Sequence, residues 1–204
     1  MSDVSITDAI VAQPGNGFAE TRATRALGFW IYLMSDAVIF ALLFATYATM
    51  IGNYADGPSG KTLFNLTHTL GETTLLLTSS LTCGLATWSA QQRRGGTAVA
   101  WLLVTLALGL GFIGMEIVEF MGLLHQGAGP QRSGFLSAFF TLVGTHGLHV
   151  SVGIVWLLVM IAQIVIKGPS SWVQSRLQRW STFWHFLDIV WVGIFSIVYL
   201  PGML

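Results

Sequence analysis

The stretch FFTLVGTHGLHVSVG, Phe139 to Gly153, lies inside the longest apolar run of the chain and carries two histidines three residues apart. Between Arg132 and Lys167 stand 34 residues without a Lys, Arg, Asp or Glu. As one helix that run would be about 51 Å long, more than the ~30 Å hydrocarbon core of a bilayer. It reads as a tilted or protruding membrane helix. Along it Gly144, Gly147 and Ser151 recur at helical spacing as a narrow face of small residues, the kind that lets another helix approach closely, while His146 and His149 point away from that face. Imidazoles at that depth are costly unless paired, so the expectation is a helix inside a bundle with polar partners on its neighbours.

Composition agrees with that class. Hydrophobic residues make up 53% and charged residues 9% of the 204, a balance foreign to a soluble domain of this size. The formal net charge is zero, which gives no argument for nucleic acid as a partner; the placement of the basic residues carries the information instead. Cys83 is the single cysteine and stands in an apolar run, so it offers neither a disulfide framework nor a thiolate pair for a metal and reads as packing.

Working outward from Phe139, the runs and their breaks predict an all-α, polytopic membrane bundle of five transmembrane helices. The spans fall at about 26–51, 63–89, 97–124, 133–166 and 180–200. Residues 1–24 form a tail whose first 21 residues have no basic region ahead of a hydrophobic one, unlike a signal peptide; Arg22 and Arg25 precede the first apolar run, which has no small-residue cleavage site near its start, and 25–204 form one membrane domain. Gly52 to Lys61, with Asp56-Gly57-Pro58, reads as a loop, and Gln91 to Gly96 as a tight turn that makes spans two and three an antiparallel hairpin. Residues Lys167 to Arg179 read as the connection between spans four and five.

Five spans put the ends of the chain on opposite sides. Arg22, Arg25, Arg93, Arg94, Lys167, Arg176 and Arg179 then share one face, against Lys61 and Arg132 on the other. This asymmetry predicts a cytoplasmic N-terminus and a C-terminus outside. Trp30, Trp88, Trp101, Trp172 and Trp180 fall near the basic face and read as an interfacial belt, whereas Trp156, Trp184 and Trp191 lie within spans as packing residues.

Eight ionisable groups sit inside the spans: Asp36, Glu72, Glu116, Glu119, His146, His149, His185 and Asp188. None is Lys or Arg, so the carboxylates must be protonated, hydrogen-bonded, matched to histidinium or wet. Glu116 with Glu119, His146 with His149 and His185 with Asp188 are each three apart, which places both members on one helix face. Such faces serve a metal site, a proton relay or a hydrogen-bonded core equally well. A carboxylate-bridged di-iron bundle would show Glu-x-x-His twice and does not fit, whereas a bis-histidine haem between spans four and five stays geometrically open. Counting from the span ends, Glu72, Glu116 and Glu119 share one layer toward the outer side, where they are candidates for a wetted proton path or for interhelical polar pairing. Asp36 lies near the membrane centre, facing span four or five.

The segments Gly28 to Asp36, Gly111 to Phe120, Ser133 to His149 and Phe183 to Trp191 together resemble subunit III of the haem-copper oxidases in order and spacing, along nearly the whole membrane part. Within that family the resemblance is strongest to the five-span members found in bacterial cytochrome bo-type ubiquinol oxidases, since the first two of the seven spans of the cytochrome c oxidase members have no counterpart here. The resemblance implies a subunit without a catalytic centre. Haem and copper would belong to the partner large subunit I, and this chain would pack against it, hold phospholipid and support proton uptake and durability in the bacterial inner membrane. It also implies that His146, His149, His185 and Asp188 are structural positions, with no metal ligand among them. Two other classes compete: a self-standing membrane b-type cytochrome or metalloenzyme using the histidines, and a proton-coupled carrier using the acids. The carrier reading is weakened by the lack of an internal repeat.

Overall fold

The computed structural model describes the backbone of residues 14–51, 66–168 and 170–203 and the side chains of 23–51, 67–168 and 170–201. The expected loop Gly52–Lys61, the tail before Pro14 and Leu204 lie outside the described residues. All described elements are helical: α1 Pro14–Met50, α2 Leu66–Gln91, α3 Gly95–His125, α4 Gly134–Lys167 and α5 Ser171–Ile194, followed by a π-helical turn Phe195–Tyr199 and a last short helix α6 Leu200–Met203.

Two compact units divide the chain within α1, the second beginning at Phe40. In the first unit Leu27, Trp30, Ile31, Met34 and Val38 expose large apolar surface, while Leu33 and Asp36, three apart, are buried. Helix α1 begins at Pro14, earlier than the sequence reading placed it, so helix extends into the polar segment before Arg25.

In the second unit four helices close a ring, with α2 packed on α3, α3 on α4, α4 on α5, and α5 back on α2. The α2–α3 hairpin turns in three residues. Arg94 N–H donates to Ser89 O at 3.1 Å and Arg93 N–H to Ala90 O at 3.0 Å, the paired bonds that close a helix C-terminus. Arg93 adopts φ 59 to make them, although glycines stand two and three residues on. At the other end of the ring Gly127, φ 71, closes α3 by the same pair, through Leu124 O and Leu123 O. Ser133 then caps α4 by accepting from Leu136 N–H at 3.2 Å.

Among the described residues four helices are long and apolar enough to cross a membrane: Ala23–Met50, Gly95–His125, Gly134–Lys167 and Ser171–Tyr199. The segment expected as the second span is helical as α2, but it is not among these four, since its Thr and Ser residues lower its hydropathy. Much of that polarity is already consumed within the helix. Thr73, Thr74, Ser79, Thr82, Thr87 and Ser89 each donate to a carbonyl three or four residues back, at 2.7 to 2.9 Å.

Helix α5 corrects the expected connection Lys167 to Arg179. It begins at Ser171, capped by Ser170, whose hydroxyl accepts from Val173 N–H at 3.4 Å. Arg176 and Arg179 interrupt the apolar run but not the helix, because Val173, Leu177 and Trp180 recur at helical spacing and are all buried. Trp180 is likewise no belt residue: it is fully buried and its indole N–H donates to Gly153 O at 3.0 Å. Trp30, Trp88 and Trp172 stay exposed. At the far end of α5, Leu200 N–H donates to Phe195 O, five residues back. Pro201 supplies the reason for the wide turn, since it has no N–H and its ring would clash with the Ile197 carbonyl in a regular α-helix.

Candidate functional site

Three glutamates and one histidine collect where α2 and α3 approach the α3–α4 turn. On α2, His68 and Glu72 are one turn apart, with His68 Nδ1 3.6 Å from Glu72 Oε1. Glu119 comes from α3, and ligand-capable atoms of His68, Glu72 and Glu119 all lie within 4.8 Å of one another. The Tyr199 hydroxyl donates to Glu119 Oε2 at 3.0 Å. The π-helical turn places that tyrosine, which is fully buried. Glu72 is 0% exposed, and neither of its carboxylate oxygens has a hydrogen-bond partner among the described residues.

Glu116, one turn before Glu119, completes the layer through its electrostatic interaction with Glu72. Its carboxylate fills the notch over Gly147 of α4. A Cβ on Gly147 would stand 2.5 Å from Glu116 Oε1, so any larger residue there would push the carboxylate out of its notch. At Gly144, one turn earlier, an added Cβ would lie 3.8 Å from Phe120 of α3, and the Ser151 hydroxyl donates back to Gly147 O at 2.8 Å. The small-residue face therefore receives a carboxylate and a ring from α3.

The histidines of α4 go elsewhere. His146 is 0% exposed and lies among Phe40, Phe112 and Trp191, with ring centroids at 6.3, 5.9 and 5.4 Å. Neither ring nitrogen has a hydrogen-bond partner among the described residues, so the polar partner expected for it on a neighbouring helix is not among them. His149 Nδ1 lies 2.7 Å from Thr145 O in its own helix, and its ring is 5.2 Å from that of Phe40. A haem plane on His146 would have to displace this aromatic packing. On α5, Ser80 Oγ of α2 meets His185 Nδ1 at 2.6 Å, and Asp188 Oδ2 is 3.7 Å from the same nitrogen, too far for a hydrogen bond. In the first unit Asp36 interacts with Tyr32, one turn earlier on the same helix.

Sequence reading missed His68, Tyr199 and Ser80. His68 carried a usable signal, the His-x-x-x-Glu spacing of one helical turn. Tyr199 carried none, because the widened turn shifts its direction away from what a 3.6-residue period assigns.

Comparisons with known proteins bear on the whole chain. A sequence model of the family described as Cytochrome c oxidase subunit III matches residues 9–203. The chain is 56% identical over 185 residues to the cytochrome bo(3) ubiquinol oxidase subunit 3 of Pseudomonas aeruginosa, covering 91% of this chain and 88% of that one. It is 51% identical over 178 residues to the protein of the same name from Pseudomonas putida, covering 87% and 86%. It is also 42% identical over 187 residues to the quinol oxidase subunit 3 of Bacillus subtilis, covering 91% of each. These matches do not favour a self-standing cytochrome or metalloenzyme. A match from residue 9 to residue 203, over four helices closed into a ring, places this chain in the cytochrome c oxidase subunit III family, the third subunits of the haem-copper oxidases.

Proposed function

We propose that this chain is the non-catalytic subunit III of a bacterial ubiquinol oxidase, a proton-pumping complex of the aerobic respiratory chain. The carrying observation is the identity of 56% across 91% of the chain to a subunit of that name. In this reading the chain crosses the inner membrane five times, with α2 as the second span and its hydroxyls bonded inside the helix. The N-terminus is cytoplasmic and the C-terminus periplasmic, the orientation that the asymmetry of the basic residues favours. Haem and copper reside in the large subunit I, against which this chain packs. Phospholipid lies along its exposed apolar faces. Leu103, Leu110, Ile117 and Val118 of α3 and Leu148, Val152 and Val155 of α4 supply such faces, and a shallow groove lined by Leu43, Thr46, Ser137 and Thr141 suits an acyl chain.

Purification of the tagged chain in mild detergent tests the assignment. It should bring down a haem-bearing large subunit with quinol oxidase activity. A chain that purifies alone, while the oxidase assembles at normal yield and durability without it, overturns the proposal. Reporter fusions at Arg94 and Leu204 test the topology, and must report opposite sides of the membrane.

A further inference from the structure

The polar cluster that the subunit role leaves unexplained is the one between α2 and α3. We propose that His68, Glu72 and Glu119 form a binding site for a divalent cation of the zinc class, bridging the two helices close to the α3–α4 turn.

Donor chemistry selects the ion. One imidazole nitrogen and two carboxylates suit zinc with a further position open to water. Calcium and magnesium take more oxygen ligands and have little use for an imidazole, and Cys83, the one thiol of the chain, bonds Ser181 Oγ at 3.3 Å and takes no part in this cluster. The two carboxylates balance the charge of the ion, whereas without a cation they must be protonated or hydrogen-bonded to stay together in a membrane helix pair.

A second observation points the same way. Glu72 is 0% exposed with both oxygens unpartnered among the described residues, and it faces His68 Nδ1 at 3.6 Å and Glu119 across the helix interface. An unbonded buried carboxylate is expensive, and a cation held between it and its neighbours removes that cost. The bond lengths are within reach. Ligand atoms at zinc distances stand about 3.3 Å apart in a tetrahedron, so the 4.8 Å cluster closes by side-chain rotations of roughly an ångström. Tyr199 is placed as the outer support, its hydroxyl holding Glu119 Oε2 at 3.0 Å and setting the orientation of that carboxylate. His68 is partly exposed, which leaves an approach for the ion from the end of the ring.

Zinc uptake by the intact oxidase complex, freed of loosely bound metal with a chelator, tests the site. Equilibrium dialysis with radioactive zinc should find one site per complex that His68→Asn and Glu72→Gln each weaken at least tenfold, while Glu116→Gln changes it less than threefold. Zinc affinity and stoichiometry unaltered in both ligand variants overturn the proposal. Should those variants fail to assemble, X-ray absorption at the zinc edge of the wild-type complex decides. One imidazole with oxygen donors at about 2.0–2.1 Å supports the site, and sulfur ligation, several imidazoles or no retained zinc refutes it. The haem spectrum of the same preparation reports on the subunit assignment, so failure of the one reading is distinguishable from failure of the other.

Discussion

The two ends of the helical ring use polar residues in opposite ways. Toward the Gln92–Arg94 turn, most polar groups are neutral and matched across the helices, the buried Gln163 Oε1 being an exception among the described residues. Thr82 meets Thr105 at 2.8 Å, Cys83 meets Ser181, Trp184 donates to Ser79 Oγ at 3.0 Å, and Gln174 reaches Ala90 O at 2.7 Å. Toward the Gln126–Ser133 turn, carboxylates gather with too few donors, and Glu72 and Glu116 leave oxygens unbonded. Matched hydroxyls and indoles fix how helices sit; a surplus of acids does not. Acids concentrated at one end therefore point to something that moves or binds there, a proton or a cation.

If that contrast is right, the largest losses of stability come from the matched end. Trp184 is slotted between Gly109 of α3 and Gly153 of α4, where an added Cβ would stand 3.1 and 3.0 Å from its ring. Trp184→Ala should lower the stability of the complex by about 3–5 kcal/mol, read as thermal unfolding in detergent. Trp184→Phe keeps most of the ring but drops the bond to Ser79, and should cost less.

The border between the two ends is the notch at Gly147. Gly147→Ala forces its Cβ against Glu116 and should cost about 1–3 kcal/mol. Gly114→Ala, where a Cβ meets nothing within 4 Å, should be neutral or stabilise by about 1 kcal/mol. Equal effects at the two positions would remove the packing argument.

Smaller still is the expected effect in the acid layer itself. Without added metal, Glu72→Met should change thermal stability by about 1 kcal/mol or less, or raise it, because the side chain it replaces is buried without a hydrogen bond. A loss above about 2 kcal/mol would show that Glu72 holds the helices together, and the contrast between the ends would break. Smallest of all, Arg93→Gly should stabilise by up to about 1 kcal/mol, since Arg93 holds the left-handed conformation in which glycine is unstrained.

Much of this is legible in the sequence alone. The helices follow from run length, the α2–α3 hairpin from a short basic turn, and the shared layer of Glu72, Glu116 and Glu119 from counting 1.5 Å per residue from the span ends. The early start of α5 is not, because Arg176 and Arg179 interrupt the hydropathy while Val173, Leu177 and Trp180 keep the helical face. The isolation of His146 among aromatic rings is not legible either: a histidine three residues from another reads as half of a pair, whatever surrounds it.

By itself the sequence determined what is local and periodic: helix lengths, the small face of α4, the charge asymmetry and the depth of each acid along its own helix. The tertiary structure decided which groups meet. Depth along an axis says nothing of rotation about it. Only the packing of α2 against α3 turns His68, Glu72 and Glu119 toward one another, and only the wide turn before Pro201 brings Tyr199 onto Glu119. Those contacts join residues up to 80 positions apart, set by ring closure and by one register shift that no local pattern encodes.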